Sequence, residues 1–399
     1  MSNKSGSGTL EKVLMQASAA IRQIDNGSGT LDEALDRCDG ECRRSIEHLL
    51  AQVYRFRKSI RASWSKFCRS LPSPEISALL DAALTQCRFQ SSVMPQSVVN
   101  VAVTLARKKR ADKFVNAVLR NALRENFTMP SSAAEILPDA LLKRWKRNFP
   151  AEQVEKMASL FLKKPEFTFR LCGETPLPPG AVAIPAHEPF RFASGKAAEI
   201  LHSTSFVHGG YYIQDPATSL SVSLAGEVLP QCHTLLDLCA APGGKTLMAA
   251  ELLPAGAQIT AADISAYRQK FTAENFSRHM VAAKIITADP SQITGSYQLV
   301  IADVPCSNSG VFRRRPDALW RFSEKSLADV MMLQRQILRQ AERLTAPGGW
   351  LLVSTCSIEP DENEALLQTG SGFELLDQQT LYPGDTHDGA FAALFKKLK

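Results

Sequence analysis

The sequence predicts an all-α N-terminal domain over residues 1–150 and an α/β domain with a doubly wound, Rossmann-like sheet over residues 207–399. Two observations predict this fold class. Apolar residues recur every three or four positions through the first part of the chain, which is typical of amphipathic helices. In the last part, short apolar runs rich in β-forming residues alternate with helical stretches, the pattern of a mainly parallel sheet with helices on both faces.

The N-terminal domain is predicted from its helical period. Ser73 before Pro74 indicates a helix start, because a serine hydroxyl caps the first turn and proline suits the first helical position. No segment here alternates apolar and polar residues as a strand does, so we expect a compact helical bundle. The segments with the clearest period are 10–24, 41–56, 73–89 and 95–126.

Residues 151–206 are predicted to form a connecting region with a small α+β element. Residues 164–172 (KPEFTFRLC) favour a strand because aromatic and threonine residues dominate their centre. Residues 174–189 are rich in proline and glycine, which is typical of a loop.

The α/β domain is predicted from five apolar runs with helices between most of them. The last two runs of the chain, 372–379 and 389–398, are expected to pair as antiparallel strands at one edge of the sheet. Ligands in such sheets bind beyond the carboxyl ends of the strands. The predicted parallel strands lie within 233–241, 257–265, 282–289, 296–305 and 348–357, and the predicted helices within 245–253, 266–279 and 323–345.

Composition narrows the class of protein. The net charge of +6 indicates, mildly, a polyanionic partner. No apolar stretch is long enough for a membrane span, and the N-terminus lacks a secretory signal, so we expect a cytoplasmic protein. Nine cysteines in such a chain do not indicate disulfides, and Cys38 and Cys42 are better explained as free thiols than as metal ligands, so no metal is expected.

A basic run in the helical domain has two interpretations. It is either a solvated helix face or a strip that binds nucleic-acid phosphates. The phosphate-binding interpretation is favoured only if the other domain acts on nucleic acid. Its residues are Arg107, Lys108, Lys109, Arg110, Lys113, Arg120 and Arg124.

A glycine-rich turn follows the first predicted strand of the α/β domain. A P-loop would need glycine where Cys239 stands, and the dinucleotide pattern G-x-G-x-x-G is not present. S-adenosylmethionine remains as the expected cofactor, since it carries no phosphate and needs a close-fitting turn. The predicted cofactor-binding residues of this turn are Cys239, Ala240, Ala241, Pro242, Gly243, Gly244 and Lys245.

Acidic residues end the next strands. Asp263 follows Gly244 by 19 residues, close to the spacing of roughly 20 for an acid that binds a ribose. Asp289 ends the third strand, where an adenine amino group is expected. Each aspartate alone is equally consistent with the cap of a turn, but three acids at successive strand ends, with Asp303 as the third, favour a cofactor site.

Two cysteines follow adjacent predicted strands: Cys306 after Asp303, and Cys356 within Thr-Cys-Ser. A single buried cysteine is usually a small apolar residue. Two at neighbouring strand ends suit the chemistry of cytosine, whose carbon 5 becomes nucleophilic once a thiolate adds to carbon 6. Such a site needs a nucleophilic cysteine, an acid near ring N3 and a base.

Several ordered motifs resemble the NOL/NOP/Sun-type RNA cytosine-5 methyltransferases. They are Leu-Cys-Ala-Ala-Pro-Gly-Gly-Lys-Thr (238–246), Asp-Val-Pro-Cys-Ser (303–307), Arg-Arg-Pro-Asp-Ala-Leu-Trp (314–320) and Thr-Cys-Ser-Ile-Glu-Pro-Asp-Glu-Asn (355–363). Residues 113–121 resemble the NusB-like helical domain of the bacterial Fmu/Sun branch, which methylates small-subunit ribosomal RNA, and residues 212–217 resemble the lead-in to its catalytic domain.

The resemblance implies a role for each motif residue. Cys356 matches the nucleophile, Cys306 the cysteine that helps release the product, and Asp303 the acid that contacts the base and borders the cofactor. Spacing alone does not make this choice, because DNA cytosine-5 methyltransferases use the cysteine of the Pro-Cys motif. Val304 and Asn308 stand where the family has alanine and glycine, and the tail motif from Asp388 to Phe391 has an altered aromatic arrangement.

The expected activity is therefore S-adenosylmethionine-dependent cytosine-5 methylation of RNA, with 16S ribosomal RNA as the expected substrate. A methyltransferase of DNA or of another RNA such as tRNA, and a non-catalytic RNA-binding assembly factor, are the alternatives. The presence of both Cys306 and Cys356 argues against the non-catalytic alternative.

Overall fold

A computed structural model describes residues 3–367 and 372–398. The chain forms two compact units. The first comprises Met1–Lys164 together with Phe312–Ser323, and the second comprises Pro165–Val311 together with Glu324–Lys399. None of the described helices is both long enough and apolar enough to cross a membrane.

The first unit is helical, as predicted. Its helices are α1 (Asn3–Asp25), α2 (Leu31–Asp36), α3 (Arg43–Arg55), α4 (Arg57–Ser65), α5 (Pro74–Phe89), α6 (Pro95–Arg107), α7 (Asp112–Arg124), α8 (Ala133–Ile136), α9 (Asp139–Asn148) and α10 (Ala151–Leu162). The apolar faces of the first seven share one core, in which Leu14, Leu50 and Leu80 are fully buried. Burial of these stripes is the main force that holds the bundle together.

Local sequence sets two helix ends in this unit. The Ser73 hydroxyl accepts a hydrogen bond from the Ile76 amide, and Pro74 occupies the first turn of α5, which confirms the predicted start. The predicted helical segment 95–126 is instead two helices, because Arg110 has φ of 56°, a left-handed conformation that no helix continues through.

The segment 312–323 belongs to the helical unit although it is distant in sequence. It contains α16 (Pro316–Arg321). The Asp317 carboxylate accepts a hydrogen bond from the Leu31 amide, at 3.1 Å, and the Trp320 indole donates to the Tyr54 carbonyl, at 2.7 Å. These contacts anchor both ends of α16 on the helices around it.

The second unit begins with a small antiparallel sheet of order β2-β3-β1-β4. Its strands are β1 (Thr168–Leu171), β2 (Val182–Ile184), β3 (Arg191–Ser194) and β4 (Tyr211–Ile213), with α11 (Ala197–Leu201) and α12 (Thr204–Val207) between the last two. Strand β1 was predicted. Strand β2 lies in the segment predicted as a loop, and it exists because Ala183 pairs with Ala193 of β3.

A seven-stranded sheet of order β10-β11-β9-β8-β5-β6-β7 forms the rest of the unit. Strands β5 to β9 are parallel, and β11 and β10 complete one edge in antiparallel pairing, as predicted. The strands are β5 (Thr234–Asp237), β6 (Gln258–Asp263), β7 (Lys284–Thr287), β8 (Tyr297–Asp303), β9 (Thr345–Thr355), β10 (Phe373–Leu381) and β11 (Ala390–Lys397).

Strand order determines where ligands bind. Strand β5 lies between β6 and β8, so the chain reverses its direction of travel across the sheet at β5, and a crevice opens beyond its carboxyl end. The helices of this part are α13 (Ser219–Leu224), α14 (Gly244–Ala250), α15 (Ala266–Arg278), α17 (Glu324–Leu344) and α18 (Pro360–Leu366).

Candidate active site

The turn after β5 is held against its neighbouring strands by main-chain hydrogen bonds. The Leu238 amide donates to Ile301 of β8 and the Ala240 amide to Ala262 of β6, at 2.9 and 2.8 Å. Gly243 has φ of 102°, which other residues rarely adopt, and a Cβ on Gly244 would lie 2.9 Å from the Gln214 amide nitrogen. Gly243 is therefore required for the shape of this turn, whereas a side chain at position 244 would displace the Gln214 and Tyr212 side chains.

Asp237 lies beneath the turn and is buried. The Thr246 hydroxyl donates to its carboxylate at 2.6 Å. Burial, which disfavours the charged carboxylate, raises the pKa of Asp237 to about 7, and the nearby Asp303 adds to the shift. The Asp237 carboxyl therefore changes between its protonated and ionised forms near neutral pH.

Asp263 lies at the carboxyl end of β6, as predicted, and is almost fully buried. Its carboxylate accepts hydrogen bonds from the Ala241 and Ser265 amides, at 3.3 and 2.8 Å, and from the Arg268 guanidinium at 2.6 Å. The bond from Ala241 brings this carboxylate directly against the turn that follows β5.

Asp289 lies just beyond β7 and is exposed. Its carboxylate accepts hydrogen bonds from the Ser291 hydroxyl and amide, which hold the pKa of this carboxyl below its usual range. The residue caps a short 3₁₀ turn, one of the two interpretations that its sequence position allowed.

Lys245 and Asp303 form an ion pair between the first turn of α14 and the end of β8, with Nζ 2.7 Å from Oδ2. Burial acts to lower the pKa of Lys245, but the charge of Asp303 and a hydrogen bond to it outweigh burial and raise that pKa. The Ser354 hydroxyl donates to the other oxygen of Asp303 at 2.7 Å. Lys245 is therefore a fixed cation at this edge of the sheet.

The two cysteines meet at the carboxyl ends of β8 and β9. The sulfurs of Cys306 and Cys356 are 3.1 Å apart, within hydrogen-bond distance. This hydrogen bond, together with burial, raises the pKa of Cys306 well above that of a free thiol. All nine cysteines of the chain are free thiols.

Two glycines bring the cysteine loops together with the segment before β11. The Gly310 amide donates to the Cys356 carbonyl at 3.0 Å, and the Gly389 amide donates to the Gly310 carbonyl at 2.8 Å. A Cβ on Gly310 would lie 2.7 Å from the carbonyl oxygens of both Cys356 and Gly389. Only glycine permits this approach of three main-chain segments.

A buried carboxylate fixes the same loops from below. Glu362, fully buried on α18, accepts hydrogen bonds from the Ser307 amide and hydroxyl, at 3.0 and 2.7 Å, and from the Gln334 amide at 2.6 Å. Gln334 also donates to the Pro305 carbonyl at 2.9 Å. The residues on both sides of Cys306 are thus held by one side-chain cluster.

A pocket of about 50 Å³ opens beside these loops. Of the two cysteines, Cys356 lines it, together with Lys245 and the carboxylate-bearing Asp215 and Asp388. The Asp388 amide donates to Asp215 at 2.9 Å, which connects the segment before β11 to the turn after β4. The pocket therefore presents a thiol, a cation and two acidic side chains to one small volume.

The structure brings part of the predicted set together, and Asp289 is exposed and bonded to Ser291 instead. Lys245, Asp303, Cys306 and Cys356 lie at one sheet edge, and Asp263 contacts the adjoining turn. Asp215 and Glu362 were not predicted as site residues. They lie within the motifs at 212–217 and 355–363, but nothing in their spacing indicated which loop each one would contact. In the described part of the chain, no group of three or more potential ligands could hold a metal ion.

Two family models match the chain. Residues 229–375 match the model described as "16S rRNA methyltransferase RsmB/F", and residues 9–124 match the NusB family. Residues 229–375 are therefore similar to the RsmB/F methyltransferases, and residues 9–124 are similar to NusB proteins. The RsmB/F match lies in the second unit except for residues 312–323, and the NusB match covers the first seven helices.

Curated relatives carry the same description. The "probable ribosomal RNA small subunit methyltransferase B" of Synechocystis is 28% identical over 74% of this chain and 72% of its own length. "Ribosomal RNA small subunit methyltransferase B" of Shewanella oneidensis is 32% identical over 63% of this chain and 62% of its own. The match to the Salmonella newport protein of that description, at 36% identity, spans 48% of each chain.

Solved structures share the fold. The structure of PH0851 superposes with a TM-score of 0.75 and 22% identity over 97% of this chain and 99% of its own. The structure of NSun6 from Pyrococcus horikoshii with SFG gives a TM-score of 0.53 and 19% identity over 66% of this chain and 98% of its own. At these identities the likeness is one of fold.

Proposed function

We propose that this enzyme transfers a methyl group from S-adenosylmethionine to carbon 5 of a cytosine in small-subunit ribosomal RNA. The observation that carries the proposal is the pair of thiols 3.1 Å apart, with Cys356 lining a pocket that also contains Lys245. The similarity to ribosomal RNA methyltransferases, over residues 229–375 and in the relatives named above, indicates the substrate class.

The residues around the turn after β5 suit S-adenosylmethionine, which supplies an electrophilic methyl group. Gly243 and Gly244 leave a backbone surface without side chains. Asp263 offers a buried carboxylate to ribose hydroxyls, and the turn contacts it through Ala241 and contacts Asp303 through Lys245. Cys239, Ala240, Pro242 and Asp289 are proposed to complete the cofactor site. SFG, an S-adenosylmethionine analogue, is named with the NSun6 structure, which is consistent with this assignment.

The proposed roles follow the order of bond changes. The Cys356 sulfur bonds to carbon 6 of the cytosine as its thiol proton is given up, and ring N3 takes up a proton, so that the Asp303 carboxylate can accept a hydrogen bond from N3–H. Carbon 5 of the resulting enamine is nucleophilic and takes the methyl group, and S-adenosylhomocysteine leaves. After methylation, a base removes the proton from carbon 5, the sulfur–carbon 6 bond breaks, and Cys306 assists this release. Cys306 is suitably placed, because its sulfur is in contact with that of Cys356.

Methyl transfer from tritiated S-adenosylmethionine to purified RNA and to DNA tests the proposal. We expect label in 16S ribosomal RNA and no label in DNA, and bisulfite sequencing should locate it at cytosine. Label in tRNA alone or in DNA would contradict the proposed substrate. Binding of RNA without transfer to any acceptor would support the non-catalytic assembly factor instead.

A further inference from the structure

Two aromatic side chains lie exposed on the first turns of α15. Tyr267 and Phe271 are 56% and 42% exposed, and their ring centroids are 5.4 Å apart in an edge-to-face arrangement. They are four residues apart and so share one face of the helix, while Phe276 on the opposite face is buried. A single exposed ring is ordinary on a protein surface, but two in contact form a continuous apolar surface. Neither ring takes part in the catalytic steps proposed above.

Cations flank the two rings. With about 100° between successive residues of a helix, Arg268 lies on one side of the ring pair and Lys270 on the other, and both side chains are exposed. Arg268 donates to the buried Asp263, and Glu274 is exposed one turn beyond Lys270, so part of this charge is offset. With Arg278, α15 carries three cations and one acid. The exposed face therefore combines aromatic rings with net positive charge, which suits a ligand that has both π-faces and negative charge.

The helix begins at the sheet edge where the proposed active site lies. It starts at Ala266, just after Asp263 at the carboxyl end of β6, and Cys306 and Cys356 follow the carboxyl ends of β8 and β9. Strand β5 lies between β6 and β8, so the ends of these two strands are about 10 Å apart at the usual strand spacing. An RNA strand that places a cytosine at the cysteines can therefore reach α15 with a nucleotide a few positions away.

We propose that Tyr267 and Phe271 form a stacking platform for an unpaired base of the RNA substrate, next to the proposed catalytic centre. Each base has a π-face, so the platform accepts any base, while Arg268 and Lys270 contact the neighbouring phosphates. A base within a duplex is already stacked on its neighbours, so the platform selects single-stranded RNA around the cytosine. The identity of the partner as RNA rests on the proposed function.

Fluorescence anisotropy with a short labelled single-stranded RNA measures the contribution of the rings. The variant Tyr267→Ala with Phe271→Ala removes both rings, and because both side chains are exposed, the core of the unit stays intact. Its Kd for the single strand should rise about five- to hundredfold, the range for the loss of one stacked base. Its Kd for the same sequence as a duplex should stay at the wild-type value. The slope of log K against log salt should also be unchanged, because neither ring contacts a phosphate.

Two further variants serve as controls. The exchange Tyr267→Phe with Phe271→Tyr keeps both rings and should bind the single strand with wild-type affinity. Met332→Ala with Leu333→Ala removes side chains that are 57% and 44% exposed on α17 of the same unit, and it should also bind as the wild type does. Calorimetric titration with S-adenosylmethionine should give the same affinity for the ring-deleted variant and the wild type.

The proposal is overturned if the ring-deleted variant binds the single strand as tightly as the wild type does, or if its affinity for the duplex falls equally. A loss of cofactor affinity would place the rings in the cofactor site instead. Conversion of a dimer to a monomer on gel filtration would show that the rings cover a second copy of the chain. A reduced salt slope would show that phosphate contacts, and not stacking, were lost.

The two proposals fail separately. RNA binding that depends on the rings, without methyl transfer to any acceptor, would contradict the proposed function alone. Methyl transfer to RNA by a ring-deleted variant that binds RNA normally would contradict the platform alone. Absence of RNA binding by the wild type would contradict both.

Discussion

At the scale of single residues, Asp263 is a buried carboxylate that three protein donors hold at the end of β6. Its two oxygens accept from two main-chain amides and from Arg268, whose side chain is 53% exposed. The amides hold the carboxylate in a fixed direction at the end of β6. The exposed guanidinium occupies one oxygen, and we expect ribose hydroxyls to take its place in the proposed cofactor complex.

Asp263→Ala should weaken S-adenosylmethionine binding by about 1–3 kcal/mol, the usual cost of an unsatisfied buried polar group. Isothermal titration calorimetry measures the change. The control is Arg268→Ala, which removes the guanidinium but keeps the carboxylate, and we expect little change in affinity. Equal affinity of the Asp263 variant and the wild type would remove this residue from the cofactor site.

Asp237 makes stability depend on pH. Burial raises its pKa to about 7 in the folded chain, whereas an unfolded chain has about 3.9. At a pH between these two pKa values, the Asp237 carboxyl is protonated in the folded chain and ionised in the unfolded chain. The free energy of unfolding therefore decreases as pH rises through this interval and becomes constant above it.

Asp237→Asn should remove this dependence. The difference in Tm between the variant and the wild type should grow in favour of the variant, by several degrees from about pH 5 to about pH 8. Any constant cost of the amide cancels in this comparison. Asp289→Asn is the control: its pKa is lowered, so its contribution changes only at more acidic pH. A constant Tm difference for Asp237→Asn would show that this carboxyl is ionised throughout.

At the scale of elements, the turn between α6 and α7 presents the basic strip predicted from the sequence. Arg107, Lys108, Lys109 and Arg110 are all exposed there, and Lys113, Arg120 and Arg124 are exposed along α7. The Nζ of Lys109 lies 3.7 Å from Oε1 of Glu75, and this carboxylate partly offsets the charge of the lysine. Exposed cations with this spacing are suited to the phosphates of RNA.

Removal of three of these cations should weaken RNA binding and reduce the slope of log K against log salt by about 2, since each phosphate contact in single strands contributes about 0.7. The variant is Arg107→Ala, Lys108→Ala and Arg110→Gly, with glycine chosen for the left-handed backbone at that position. Filter binding over a salt series gives the slope.

The control variant removes three exposed lysines from other helices of the same unit: Lys143, Lys146 and Lys156. It has the same net charge as the strip variant. An equal loss of slope in both variants would mean that overall charge, and not this strip, determines binding.

Elements were predictable where local sequence decides them. The cap at Ser73 and the hairpin of β10 and β11 follow from residues next to one another. The break at Arg110 and strand β2 do not, because the first depends on how α6 and α7 pack, and the second on pairing with β3. The proline-rich sequence around β2 does not itself favour a strand, and the strand forms only by pairing with β3.

At the scale of the whole molecule, the sequence predicted which strand ends meet but not which side chains touch. Parallel strands β8 and β9 are adjacent, so Cys306 and Cys356 were expected to be neighbours, and their sulfurs are in contact. The ion pair of Lys245 with Asp303 and the place of residues 312–323 among the helices arise from contacts between distant segments. No periodicity or spacing encodes such contacts.

In the proposed mechanism, Cys356 attacks the cytosine and Cys306 acts only after methylation. The two sulfurs are equivalent in type and 3.1 Å apart, so residue identity does not distinguish them. The order of the reaction steps distinguishes the two cysteines. A chain without the nucleophile cannot start the reaction, whereas a chain without the releasing cysteine can start it but cannot finish.

Denaturing gels of Cys356→Ala and Cys306→Ala, each incubated with RNA and S-adenosylmethionine, measure this directly. We predict no turnover and no covalent RNA adduct for Cys356→Ala, with cofactor binding retained as the control for folding. We predict a stable adduct through Cys356 for Cys306→Ala, because proton removal and elimination become slow. An adduct in Cys356→Ala with none in Cys306→Ala would reverse the two roles, and no adduct in either variant would contradict the covalent mechanism.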